Sequence, residues 1–96
     1  MAAYLVVDTL LEDPQAYETY KLKAKPIVEK YGGQYLARGG DISMLEDNLW
    51  SPTRMVLIRF PDKQAANSFY GSPEYQAVAA IGRQAAKRTI FILEGL

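Results

Sequence analysis

The chain has 96 residues, 49% of them apolar, and its eleven basic side chains are balanced by eleven acidic ones. That length fits one domain, residues 1–96, with enough apolar content for a real core, and the neutral balance argues against a surface built for phosphate backbones or anionic membranes. Cysteine and histidine are both absent, which excludes disulfides, thiolate chemistry, the commonest metal ligand and the side chain best suited to proton transfer near neutral pH.

The N-terminus, Met1-Ala2-Ala3-Tyr4-Leu5-Val6-Val7-Asp8, has no basic stretch, and its apolar run ends at Asp8. This is too short for a signal peptide or a membrane span, so a cytoplasmic location is the default expectation. Ala3 to Thr9 is rich in β-branched and aromatic residues and predicts a strand. Asp13-Pro14 then supplies a side-chain cap and a first helical residue that loses no hydrogen bond. Tyr17, Tyr20, Ala24, Ile27, Val28 and Tyr31 form one helical stripe. Pro26 falls inside it and predicts a kink or the start of a second piece. Gly32-Gly33 closes the helix.

Gln34 to Arg38 and Asp41 to Glu46 read as two halves of one strand, with a bulge or bend at Gly39-Gly40 between them. Asp47 to Thr53 reads as a loop, and Arg54 to Phe60 as the third strand. Pro61 ends that strand, and Asp62 caps a short helix running through Tyr70. Gly71 stops this helix. Ser72-Pro73-Glu74 begins another, running to about Ala86. Thr89 to Leu93 is the last strand.

The order is β-α-β-β-α-β with the second helix broken in two. Right-handed crossovers then give a ferredoxin-like α+β fold: a four-stranded antiparallel sheet with all helices on one face. A one-sided sheet should alternate apolar and polar residues. Here the strands are apolar on both faces, with Tyr4 and Val6 against Leu5 and Val7, and Met55 and Leu57 against Val56, Ile58 and Phe60. The helices can cover only one of them. The open face predicts a homodimer, sheet against sheet about a two-fold axis.

The segment Tyr31-Gly32-Gly33-Gln34-Tyr35-Leu36-Ala37-Arg38-Gly39-Gly40 resembles the small bacterial DUF1330 family. So do Trp50-Ser51-Pro52-Thr53-Arg54, Phe60-Pro61 and Phe69-Tyr70-Gly71-Ser72-Pro73-Glu74-Tyr75-Gln76. The resemblance covers nearly the whole chain and implies a dimeric α/β-barrel, two ferredoxin-like protomers joined sheet to sheet. It implies no particular chemistry. The chain departs from the family pattern in the longer approach to Trp50 (Glu46-Asp47-Asn48-Leu49) and at Arg59, where many relatives carry an acid.

Candidate site residues follow from side-chain chemistry. Arg38, beside two glycines, presents a planar fork suited to a carboxylate or enolate, or else pairs with Asp41 or Glu46. Arg54 can close the same pocket or pair with a surface acid, and Trp50 reads as a lid or an interface anchor. Glu46 is the candidate base, provided that burial beside apolar strands raises its pKa; otherwise it neutralises an arginine. Tyr17, Tyr20, Tyr31, Tyr70 and Tyr75 read as core residues with hydroxyls at the rim; Tyr70 and Tyr75 are the candidates for a pocket wall and a proton carrier. The glycine pairs lack phosphate-loop spacing, and the basic run Arg83, Lys87 and Arg88 reads as a favourable helix end. No cofactor, no metal and no nucleic-acid partner is expected. Three functions stay open: a small-molecule binding domain with a helix–sheet pocket, a cofactor-free oxygenase or isomerase, and a structural dimer module.

Overall fold

The computed structural model describes residues 1–96. Its elements are β1 (Ala3–Leu11), α1 (Pro14–Lys30), β2 (Gln34–Arg38), β3 (Met55–Phe60), α2 (Lys63–Gly71), α3 (Pro73–Ala85) and β4 (Ala86–Glu94). The four strands form one sheet in the order β2-β3-β1-β4, with every neighbouring pair antiparallel. This is the ferredoxin-like α+β arrangement that the sequence predicts.

Three caps start the helices as expected. Asp13 Oδ1 accepts from the Ala16 amide at 3.1 Å, Asp62 Oδ1 from Ala65 at 2.8 Å, and Ser72 Oγ from Tyr75 at 3.1 Å. Each satisfies an amide that the first helical turn would leave unpaired. Pro26 does not divide α1, which runs unbroken from Pro14 to Lys30. The carbonyl left without a donor is that of Leu22, and both Leu22 and Pro26 lie on the exposed side, where water can serve it.

The predicted second half of the β2 strand is corrected. Asp41 to Glu46 is an exposed loop with no ladder. The physical reason is the length of the partner strand. Arg38 pairs with Val56, and the Gly39 amide donates to the Met55 carbonyl at 2.8 Å. Met55 is the first residue of β3, so a longer β2 would have nothing to pair with. The bulge is also displaced: it falls between Tyr35 and Ala37, not at Gly39-Gly40. Gly39 instead turns the chain off the sheet with φ +72°, a conformation that favours glycine. At the other end, α3 stops at Ala85 and β4 begins at once at Ala86. Lys87 and Arg88 therefore belong to a strand and not to a helix end.

The core lies between the helices and one sheet face. Leu5, Val7, Val56, Ile58 and Phe60 from the sheet meet Ala24 and Val28 of α1, Phe69 of α2 and Tyr75 and Ala79 of α3. Aromatic rings run through it, with Phe60 to Phe69 centroids 5.4 Å apart and Phe69 to Tyr75 4.4 Å apart. On the opposite face, Val6 is flanked by Leu57 and Phe91 on the neighbouring strands. Val6 is buried among its neighbours, but no helix covers this layer, and Phe91 is 43% exposed and Leu93 57%. No helix is long and apolar enough to cross a membrane.

Candidate functional site

A narrow cavity of about 30 Å³ lies between α1 and the helix-side face of the sheet. One water needs roughly 10–15 Å³ of such space, so the interior as it stands has room for no more than a water or two. Its walls are mostly apolar, including Leu5, Val7, Val28, Val56 and Ile58, and its polar lining comes from Lys21, Arg38, Arg54 and tyrosines.

The bulge in β2 explains why Arg38 reaches this cavity. Tyr35 pairs with Ile58 and Arg38 with Val56, and both partners face the helices. Side chains three residues apart on a regular strand point to opposite faces. The extra residue at Leu36 restores them to the same face. The Arg38 guanidinium then stacks over the Tyr35 ring, 4.8 Å from its centroid. Arg54, just ahead of β3, lies 5.8 Å from the Tyr17 centroid. A Cβ on Gly39 would sit 3.0 Å from both Nε and Nη2 of Arg54, so a side chain there, besides straining the backbone, would push the Arg54 guanidinium aside. Neither arginine has a carboxylate partner: the ion pairs are Lys21–Glu18, Lys30–Glu74 and Lys63–Glu94.

At the inner end, the Tyr20 and Tyr75 hydroxyls bond each other at 2.8 Å. Burial pushes the Tyr20 pKa well above the ordinary tyrosine range; the neighbouring Tyr75 adds to this, and Arg88 opposes it. Burial likewise raises Tyr35, against the pull of Arg38. Both phenols are therefore neutral hydrogen-bonding groups at neutral pH. Arg88 lies behind this pair, its guanidinium 4.9 Å from the Tyr20 centroid, in space that a side chain at Gly82 would take. Its Nη1 is buried without a hydrogen-bond partner, as is Oγ1 of Thr9, the residue opposite it on β1.

The sequence candidates separate into two groups. The structure brings Arg38, Arg54 and Tyr75 together at the cavity. Tyr70 packs on Tyr75, 5.5 Å between centroids, but lines a shallow groove beside β4 with Ile90. Trp50 is tied elsewhere, its indole Nε1 donating to Asp8 Oδ2 at 2.9 Å on the open side of the sheet. Glu46 is exposed on the loop and forms no ion pair with Arg38 or Arg54, so the burial that its role as a base requires is not present. Asp41 is exposed as well and pairs with neither arginine. The sequence passes over Lys21 and Tyr35 as site residues and reads Arg88 as part of a helix end. Arg88 shares the alternation of Ile90 and Ile92 along β4, the signal that places it on the helix side.

Fold and cavity together define a ferredoxin-like α+β protein whose cleft lies between helix and sheet. The chain belongs to the DUF1330 family, a domain of unknown function, whose family model matches residues 2–96. No curated protein matches the sequence. Among solved structures, a protein of unknown function from Rhodopseudomonas palustris superposes with a TM-score of 0.75 at 18% identity, covering 99% of this chain and 82% of that one. SnoaB, a cofactor-independent oxygenase from Streptomyces nogalater, gives 0.71 at 10% identity, covering 99% and 93%. A dimeric ferredoxin-like protein of unknown function from Thermobifida fusca gives 0.68 at 15%, covering 99% and 92%. At these identities the likeness is one of fold.

Proposed function

We propose that this protein is a homodimer, joined through the open sheet faces, that binds a small apolar carboxylate in the cleft between α1 and the sheet. The observation that carries the reading is a pair of guanidinium groups, Arg38 and Arg54, lining one apolar cleft with neither in a salt bridge; Glu18 of α1, the carboxylate that feels both charges, is paired with Lys21. A guanidinium against low-dielectric walls attracts an anion more strongly than one in water. The apolar walls suit a hydrocarbon or aromatic body, and the hydrogen-bonded Tyr20–Tyr75 hydroxyls suit a polar atom at its far end. Pockets for such ligands usually enclose about 300 Å³ or more. Entry therefore requires α1 or the Arg38 side chain to move outward.

Cofactor-free catalysis is the second reading, favoured by the fold shared with SnoaB. Binding without turnover accounts better for the residues in the cleft. Burial holds Tyr20 protonated, arginine cannot accept a proton, and Glu46 lies out on the loop. The cleft thus supplies anion anchors and hydrogen-bond donors but no carboxylate or imidazole to serve as a base.

Calorimetry with benzoate and with benzamide, its uncharged isostere, tests the reading. Benzoate should bind, and benzamide at least tenfold more weakly. Arg38 is exposed in the protomer, so Arg38→Lys should weaken benzoate by about 0.7–1.5 kcal/mol, nearly as much as Arg38→Ala, because lysine lacks the planar fork. Equal affinity for the two probes, or unchanged affinity in both arginine variants, would end the anchor role.

A further inference from the structure

The stretch between β2 and β3 is long for a connection in a compact domain and has no helix or strand of its own; such loops are commonly functional. It carries apolar side chains that the protomer does not use, with Leu45 94% exposed and Leu49 91%. Isolated mobility does not account for its placement, because its far end is pinned. Asp8, on the open face of β1, accepts from the Trp50 indole and from the amides of Thr53 and Arg54.

The open sheet face is the complementary unpartnered surface. Phe91 and Leu93 are exposed there; its charges are Arg59 and Lys87, neither of them in an ion pair, and Asp8, whose carboxylate is already taken up by Trp50 and the Thr53 and Arg54 amides, so the free charge is basic. The loop has the opposite sign: Asp41, Glu46 and Asp47 are acidic and no basic residue stands between Gly39 and Thr53. Within one protomer the two apolar sets stay apart, since both leucines project almost fully into solvent. In a face-to-face dimer, each loop would stand at the rim of the other copy's sheet.

We propose that Gly39–Thr53 is a dimer arm, seating Leu45 and Leu49 against the open sheet face of a second copy. Its two stems are Arg38 and Arg54, the arginines of the cleft, held beside each other where the Gly39 amide donates to the carbonyl of Met55, the residue after Arg54. The second copy therefore fixes the spacing of the two anion anchors, and the cleft is complete only in the dimer. This last step rests on the carboxylate-binding reading above; the arm itself does not.

Sedimentation equilibrium over a dilution series tests the arm without any ligand. Leu45→Asp/Leu49→Asp should raise the dimer dissociation constant roughly a hundredfold or more, as expected for two leucines that lose burial. Leu22→Asp, on the exposed face of α1 at 75% exposure, should leave it unchanged. The arm leucines are nearly naked in the protomer, so the double variant should keep its far-ultraviolet circular dichroism. An unchanged dissociation constant in the double variant overturns the arm, whether because it folds back on its own protomer or because it serves a different partner. Benzoate calorimetry on the same double variant tests the coupling. Affinity should fall with dimerisation although both arginines are intact, and benzoate should tighten the wild-type dimer by the same factor. A monomeric variant that binds benzoate as well as wild type overturns the coupling. A wild type that does not bind benzoate refutes the cleft reading instead, and leaves the dilution series as an independent test of the arm.

Discussion

Substituting Asp8 should release the loop end while leaving the sheet intact, and the chain carries its own reporter. The carboxylate accepts from Trp50 Nε1 at 2.9 Å, from the Thr53 amide at 2.9 Å and from the Arg54 amide at 3.2 Å. A hydrogen bond to a buried charged group is worth about 1.5–3 kcal/mol, and Asp8 is only half-buried, so about half of that applies to each. Asp8→Asn keeps an oxygen for the two amides but turns a donor toward the indole. It should therefore loosen the Trp50 contact by about 1–2 kcal/mol. Trp50 is the only tryptophan, so its emission should shift to the red in the variant while the far-ultraviolet spectrum stays the same. Acid should do the same to the wild type. Burial acts to raise the Asp8 pKa, but the hydrogen bonds from Trp50, Thr53, Arg54 and Thr9 outweigh it and hold the carboxyl below its ordinary 3.8. A carboxyl depressed by folding contributes its full stabilisation above the unfolded value and loses it as pH falls through the folded one. The Trp50 transition should thus lie below pH 3.8 and be missing from Asp8→Asn. Native emission from the variant at pH 7, or the same acid transition in both proteins, would refute the anchoring role.

Gly33→Ala should destabilise the fold by about 1–3 kcal/mol through overpacking, because its Cβ would stand 2.5 Å from Val28 Cγ1 and 2.9 Å from Phe60 Cε1; an unchanged urea midpoint would contradict this. Tyr20→Phe should cost about 1–2 kcal/mol by leaving the Tyr75 hydroxyl unpaired, and Tyr20→Phe/Tyr75→Phe should cost less than the sum of the two single variants. Strict additivity in denaturant melts would mean that the 2.8 Å contact carries no energy.

The architecture was legible because local signals and global pattern agree. Three of them, Asp13-Pro14, Asp62 and Ser72-Pro73, mark the helix starts within a residue. The failures fall where a strand end depends on its partner. Asp41 to Glu46 alternates well enough to read as β, but a ladder needs a facing strand, and β3 ends the pairing at Met55. The same dependence extends β4 back to Ala86, where the length of β1 as far as Leu11 offers pairing that the sequence of β4 alone does not announce. Pro26 shows the reverse case: a local breaker is tolerated because its orphaned carbonyl faces water.

The site was legible in its residue types and less so in its geometry, and Arg38 shows why. Counting alternately from Tyr35, whose ring faces the helices, a regular strand would put Ala37 in the cleft and Arg38 on the open face. The bulge at Leu36 reverses this phase, yet no glycine marks it, since the irregularity is set by how β2 pairs with β3 and not by its own sequence. The same insertion leaves Leu36 48% exposed and sets Ala37 opposite Leu57, on the face away from the helices. One short edge strand thus supplies two surfaces: Tyr35 and Arg38 to the cleft, Leu36 and Ala37 to the uncovered sheet. Because Gly39 follows directly and donates its amide to the Met55 carbonyl of β3, a shift of this strand against its neighbour would move the cleft arginine, the open face and the root of the long loop together.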